Sequence, residues 1–314
     1  MPRLYVAGHT GLVGSALMRR FSKEPTWSVV TATRAEVDLT RQEAVETWLP
    51  RVHPDVVIIA AGRVGGIEAN RRYPAEFIYE NLIMEMNLIH GAWKAGVKRL
   101  LNFGSSCMYP KRCPQPMRAE HLMTGPMEPT SEPYAMAKWA GLSLCDSYNR
   151  QYGTRYVTVI PATVYGPGDS FDPEDAHVLS ALLRKLYEAA EQGRGEVTLW
   201  GSGQARREFL FTDDLAEACA LLLDHDEAAS PINVGSGASW TIRELADLIA
   251  EVVGFRGTVR WDASRPDGAP EKRLDSSLIQ AMGWRPRTNL RGGIEQTYRW
   301  FLEHELSGAG DATS

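Results

Sequence analysis

The strongest chemical signal in the sequence is a tyrosine and a lysine one helical turn apart, Tyr134 and Lys138. That spacing puts both side chains on one helix face. An ammonium beside a phenol stabilises the phenolate, so Lys138 is expected to lower a pKa that is ordinarily ~10 and make Tyr134 an acid-base catalyst near neutrality. Ser105 sits in Gly104-Ser105-Ser106-Cys107 at the predicted end of a buried strand, where open α/β sheets hold their ligands. Its hydroxyl can hydrogen-bond the same substrate oxygen that Tyr134 protonates.

A second motif, Gly8-His9-Thr10-Gly11-Leu12-Val13-Gly14, follows the first predicted strand and opens a helix. Glycines in that position permit a tight turn, let a pyrophosphate approach backbone N–H groups, and bring helix against strand. A dinucleotide cofactor is therefore expected on Gly8, Thr10, Gly11, Leu12, Val13 and Gly14. The second predicted strand runs out at Thr31-Ala32-Thr33-Arg34, where an NAD-binding chain carries an acidic residue for the ribose 2′-hydroxyl. Arg34 instead offers a guanidinium suited to a 2′-phosphate, which points to NADP. Tyr-x-x-x-Lys alone is a common spacing. Joined in order to the glycine turn and the strand-end serine, it indicates a nicotinamide-dependent oxidoreductase.

These residues need a scaffold that brings strand ends together, and the hydrophobic pattern supplies one. Short β-rich apolar runs at 4–7, 28–31, 56–60, 100–103 and 156–160 alternate with helical patterns at 11–21, 42–49, 75–94 and 134–152. Such alternation predicts α/β architecture: a Rossmann-type doubly wound parallel sheet. Beyond Pro161 the rhythm loosens into Gly-, Pro- and Asp-rich stretches separating shorter elements, which predicts a smaller C-terminal α/β substrate-binding lobe. The expected division is 1–160 for NADP, with some later segments returning to it, 161–306 mainly for substrate, and a flexible tail at 307–314.

Composition narrows the functions further. With 314 residues and 44% hydrophobic content the chain can bury a sizeable core. A net charge of −5 creates no broad basic field, so nucleic acid is not an expected partner. Met1-Pro2-Arg3 passes directly into the first strand with no signal-peptide pattern, and the apolar runs are too short to span a bilayer. The expectation is a cytoplasmic protein without a membrane partner. Cys107, Cys113, Cys145 and Cys219 form neither a disulfide framework nor a metal knuckle, so thiols and no metal are expected.

The chain resembles the extended short-chain dehydrogenase/reductase family over almost its whole length. Beyond the shared motifs, the specific stretches are Val64-Gly65-Gly66-Ile67, Gly104-Ser105-Ser106-Cys107-Met108-Tyr109-Pro110, Glu132-Pro133-Tyr134-Ala135-Met136-Ala137-Lys138, Trp200-Gly201-Ser202-Gly203, Arg207-Glu208-Phe209-Leu210 and Arg265-Pro266-Asp267-Gly268. Within the family these are similar to the branch that converts GDP-4-keto-6-deoxy-D-mannose to GDP-L-fucose. The resemblance implies NADPH-dependent epimerisation at C3 and C5 followed by reduction at C4.

For the epimerisation it implies Cys107 and His177 as the proton-transfer pair. For the cofactor it adds Asp38, Leu39, Ala61, Gly62, Pro161, Thr163, Val164 and His177 to Ser105, Tyr134 and Lys138. For a GDP-sugar substrate it points to Ser106, Cys107, Lys185, Trp200, Arg207, Asp267 and Lys272. It also implies a homodimer built on the helices at 77–93 and 137–148, whose Phe77, Leu82, Met86, Trp93, Trp139 and Tyr148 spread over more than one face. The sequence departs from the family pattern at Thr10, Thr163, Gly168, Ser170 and Lys185, most of them near the expected sugar and diphosphate. A related nucleotide-sugar epimerase, a reductase acting on another hexose or heptose, and an NADP-sensing regulator are the competing readings. A dehydratase of this fold would carry an Asp-Glu pair where this chain has Ser106-Cys107.

Overall fold

A computed structural model describes residues 1–304 apart from 174, 226–229 and 266; the expected tail at 307–314 lies outside the described residues. The first layer comprises β1 (Arg3–Ala7), α1 (Leu12–Phe21), β2 (Ser28–Val30), α2 (Gln42–Val52), β3 (Val56–Ile59), α3 (Ile67–Arg72), α4 (Pro74–Lys94), β4 (Arg99–Phe103), α5 (Glu132–Tyr152) and β5 (Arg155–Pro161). There follow β6 (Thr163–Tyr165), α6 (Val178–Glu191), β7 (Glu196–Trp200), β8 (Arg206–Phe211), α7 (Thr212–Asp224), β9 (Ile232–Val234), β10 (Ser239–Thr241), α8 (Ile242–Val253), β11 (Thr258–Asp262), β12 (Glu271–Lys272), α9 (Ser277–Ala281) and α10 (Leu290–His304).

The main sheet has six parallel strands in the order β2-β1-β3-β4-β5-β9, the Rossmann-type doubly wound arrangement. Its central strands are apolar and fully covered: all of Val56–Ile59 is buried, as a parallel sheet with helices on both faces requires. α2, α4 and α5 pack on one face, α1 and α7 on the other. The sixth strand, β9, comes from far beyond Pro161, and α7 packs against α1, so later chain completes the first layer.

The second layer is built on β8, flanked by antiparallel β10 and by parallel β12 and β6. β7 and β11 form a separate parallel pair. α6, α8 and α10 close a second core around Leu183, Phe209, Leu245, Ile249 and Phe301. β8 ties the lobes together: its carboxyl end runs straight into α7, while Glu208 accepts hydrogen bonds from Leu274 N at 2.7 Å and Gly237 N at 2.5 Å.

Candidate active site

α5 begins with Pro133 in its first turn, where a missing N–H costs nothing, and ends at Gly153, whose φ of +64° is the left-handed cap that glycine supplies. Between these stops, Tyr134 and Lys138 face the carboxyl end of β4. The backbone there turns through a short 3₁₀ segment, Ser106–Met108, capped by Ser105, whose hydroxyl accepts from Cys107 N at 3.1 Å. Ser105 thus neighbours both the phenol of Tyr134 and the thiol of Cys107, its hydroxyl favouring the ionised form of each. Phe77 on α4 stacks edge-on against Tyr134, ring centroids 6.3 Å apart, and fixes its orientation.

The electrostatics differ from the sequence expectation. Lys138 Nζ donates to Glu85 Oε1 at 2.6 Å, and both side chains are almost wholly buried. Burial alone would lower the pKa of Lys138; the Glu85 carboxylate, helped by Tyr134, more than reverses this and keeps it charged. Burial raises the pKa of Tyr134. Lys138 and the Ser105 hydrogen bond oppose that rise, but Cys107 and Glu85 add to it, so the phenol sits above its ordinary value. Lys138 does pull the Tyr134 pKa down as its spacing suggested, but burial of the phenol outweighs it, with Cys107 and Glu85 adding to the rise.

Cys107 shows the opposite balance. Burial pushes the thiol up, but the Lys272 ammonium, whose Nζ lies 3.4 Å from Sγ, and the Ser105 and Ser131 hydroxyls outweigh it and lower the pKa. Lys272 is on β12 in register with Arg207 on β8, so two cations lie side by side next to the sulfur. Arg207 Nη2 donates to the Asp267 carbonyl at 3.1 Å; burial lowers its pKa, and Cys107, Asp267 and Glu128 counter that. Ser106, next in the chain, is buried.

Other expected substrate residues surround this point with varied commitments. The Asp267 carboxylate accepts from Ser202 N at 2.8 Å and Ser202 Oγ at 2.7 Å, closing the Gly201–Gly203 turn. Trp200 is 56% exposed with the Arg265 guanidinium 4.8 Å from its ring centre, an open aromatic face rather than a core residue. Lys185 stands on α6 with its side chain exposed, and partial desolvation lowers its pKa. His177 caps the start of α6. No hydrogen bond joins His177 to Cys107; its segment is tied to the Gly65–Gly66 loop by Gly66 N donating to Asp175 O at 3.0 Å. Gly65 in turn packs on Phe77, the residue that backs Tyr134.

The glycine turn has the shape a dinucleotide needs. Gly8 has a φ of +79°, and a Cβ there would come within 2.5 Å of Ala61 N. A Cβ on Gly14 would lie 2.0 Å from the Gly8 carbonyl oxygen, so α1 presses directly on the turn. Gly11, the N-cap of α1, offers no side-chain cap, and the first turn holds no acidic residue. The open amides at this helix start are free to receive a pyrophosphate. Thr10 and Leu12 flank Gly11, with Val13 packed on the core behind them.

At the adenosine end Arg34 is exposed. The nearby Glu36 carboxylate is committed to Thr33 N at 2.7 Å and Thr33 Oγ1 at 2.8 Å. Asp38 is likewise held by Thr40, and Leu39 O accepts from Asn87 Nδ2 at 2.9 Å, so both anchor the loop. Gly62, next to Ala61, passes beside Lys138, since a Cβ there would lie 3.6 Å from its Nζ. Pro161 ends β5, and Thr163 and Val164 begin β6 beside it. The residues present fit an NADP dinucleotide running from Arg34 across the glycine turn to Lys138.

Sequence reasoning missed Glu85 and Ser131. Glu85 interrupts no motif, but it falls on the buried side of α4 with Phe77, Asn81, Leu88 and Ala92, a helical spacing at which a carboxylate must have a partner.

A family model for the NAD dependent epimerase/dehydratase family matches residues 4–235. GDP-L-fucose synthase 1 of Arabidopsis thaliana is 49% identical over 302 residues, covering 96% of this chain and 94% of that protein. GDP-L-fucose synthase of Escherichia coli (strain K12) is 47% identical, covering 96% and 97%. Among solved structures, a GDP-L-fucose synthetase from Naegleria fowleri bound to NADP superposes with a TM-score of 0.88 at 27% identity, covering 98% of this chain and 95% of that one.

Proposed function

The chain belongs to the NAD dependent epimerase/dehydratase family, and from that membership we propose that it converts GDP-4-keto-6-deoxy-D-mannose to GDP-L-fucose with NADPH. The observation that carries this reading is the placement of two proton-transfer groups of opposite character on either side of Ser105. Cys107 has a lowered pKa and can act as a base; Tyr134 has a raised one and keeps its proton as an acid.

The C4 ketone acidifies the protons on C3 and C5. Cys107, as thiolate, removes such a proton, and His177 returns one to the other face, so each centre inverts through an enolate that Ser105 steadies at the C4 oxygen. NADPH, when bound, supplies hydride to C4. Tyr134 then donates its proton to the C4 oxygen, and Lys138 beside it stabilises the phenolate left behind. Arg207 and Lys272 bring positive charge to the substrate diphosphate, Arg207 with its planar fork. Trp200 offers its exposed face to the guanine, and Lys185 lines the same approach from α6. Asp267 holds the Ser202 turn, and its exposed carboxylate keeps lone pairs that can accept from the guanine.

The chain acts as a homodimer through α4 and α5. In support, Tyr79, Met86, Met136 and Tyr152 on these two packed helices are exposed, at 63%, 54%, 37% and 40%. It works in the cytoplasm, a reading supported by four cysteines that are all free thiols. Among the described residues, no helix is long and apolar enough to cross a membrane.

The test is direct. Purified protein given GDP-4-keto-6-deoxy-D-mannose should consume NADPH and yield GDP-L-fucose; unchanged NADPH absorbance would refute the reading.

A further inference from the structure

α4 and α5 cross at Glu85 and Gly141, and the crossing is built to admit one carboxylate. A Cβ on Gly141 would lie 1.7 Å from Glu85 Oε2, so only glycine leaves room for that oxygen. The other oxygen, Oε1, takes the Lys138 ammonium at 2.6 Å. Asn102, the penultimate residue of β4, is fully buried, with its amide aimed at the same point on Gly141. Burying a carboxylate costs several kcal/mol unless a partner offsets it, and here the partner is the lysine expected to tune the tyrosine.

Resting on the function proposed above, we propose that Glu85 is a positioning residue that neutralises Lys138 and so keeps the proton on Tyr134 until the C4 oxygen needs it. A bare ammonium beside a phenol favours the phenolate, which is a base and suits oxidation of an alcohol. Reduction of a ketone needs the phenol, an acid. Burial pushes the Glu85 carboxyl up and Lys138 holds it down; as a carboxylate it adds to the burial that opposes ionisation of Tyr134, and it secures the charge on Lys138, both in the direction reduction requires. The other titratable groups facing this cluster are Cys107 on the turn after β4, which also raises Tyr134, and Cys145 on α5, whose thiol burial pushes up with Glu85 adding to it. Lys272 and Arg207 lie beyond Cys107 and act on its sulfur.

The test compares Glu85→Gln and Glu85→Asp with the wild type by the pH profile of kcat/KM for NADPH-dependent reduction, alongside solvent deuterium exchange at C3 and C5. With Glu85→Gln the phenolate becomes the sole counter-charge for Lys138, so the high-pH limb should move down by about one pH unit. Glu85→Asp, which keeps the charge but withdraws it by one methylene, should fall between. Exchange at C3 and C5 should stay within about twofold, because Cys107 draws its charge from Lys272. A merely structural role would lower activity at every pH and leave the limb in place; that result, or failure of both variants to melt cooperatively, overturns the proposal. If the wild type reduces nothing, the functional reading fails separately. The tyrosinate absorbance lost in Tyr134→Phe then carries the test: it should develop at lower pH in the Glu85→Gln background, and an unchanged pH would overturn the role of Glu85.

Discussion

Lys272 Nζ lies 3.4 Å from Cys107 Sγ, joining a strand of the second layer to the turn that ends β4 of the first. The contact makes the thiol's acidity a property of both lobes. Replacing Lys272 with Met should raise the Cys107 pKa and cut thiolate reactivity near neutral pH about tenfold. Because the folded protein lowers the Cys107 pKa, alkylation of wild-type Cys107 should persist to lower pH than that of an ordinary cysteine. Rates of iodoacetamide labelling followed by peptide mass analysis will read this; equal rates in both proteins would contradict it.

Tyr134→Phe should separate the two chemistries. Loss of the proton donor should reduce NADPH oxidation by about 10²-fold or more, while deuterium still enters C3 and C5 of the keto-sugar. Cys107→Ser or His177→Gln should do the reverse, slowing exchange with cofactor binding intact. Parallel loss of both activities in Tyr134→Phe would mean that one group serves both steps.

Gly14→Ala places a methyl group 2.0 Å from a backbone oxygen that has nowhere to go. α1 must back away from the turn, at a cost of about 2–3 kcal/mol. The melting temperature should fall, and added NADP should no longer raise it. A variant that melts like the wild type and is still stabilised by NADP would show that α1 does not press on the turn.

Arg34→Glu removes the main group expected to meet a 2′-phosphate and adds repulsion. NADPH affinity should fall at least about tenfold, equivalent to ~1.4 kcal/mol, with NADH binding changed far less. Equal losses for the two cofactors, measured by fluorescence titration, would place 2′-phosphate recognition elsewhere.

Much of this was legible in the sequence where local rules dominate. The glycine turn, the strand-end serine and the Tyr134–Lys138 spacing depend on backbone geometry within a few residues, and the doubly wound sheet follows from the alternation of apolar runs. β2 stops at Val30, one residue short of the expected 28–31, and α5 starts two residues early, at Glu132, because Pro133 suits a first helical turn. What the sequence hid was partnership across the fold. Lys138 and Glu85 are 53 positions apart, and Lys272 and Cys107 are 165 apart. Spacing reveals that a tyrosine and a lysine share a face but not that a buried carboxylate on another helix claims the lysine first. Burial of the phenol, with Cys107 and Glu85 adding to it, is why the Tyr134 pKa rises rather than falls. Asp267 is similar: its side chain closes a turn with Ser202, and only the three-dimensional arrangement shows it.

The central claim is that one pocket both inverts C3 and C5 and reduces C4. It is tested most directly by running the reaction in D₂O with unlabelled NADPH and locating deuterium in the product by NMR. GDP-L-fucose bearing deuterium at C3 and C5 and protium at C4 is the predicted result. A reduced sugar with protium at C3 and C5 would mean that the chain is a simple 4-reductase and that Cys107 and His177 do not perform the chemistry assigned to them.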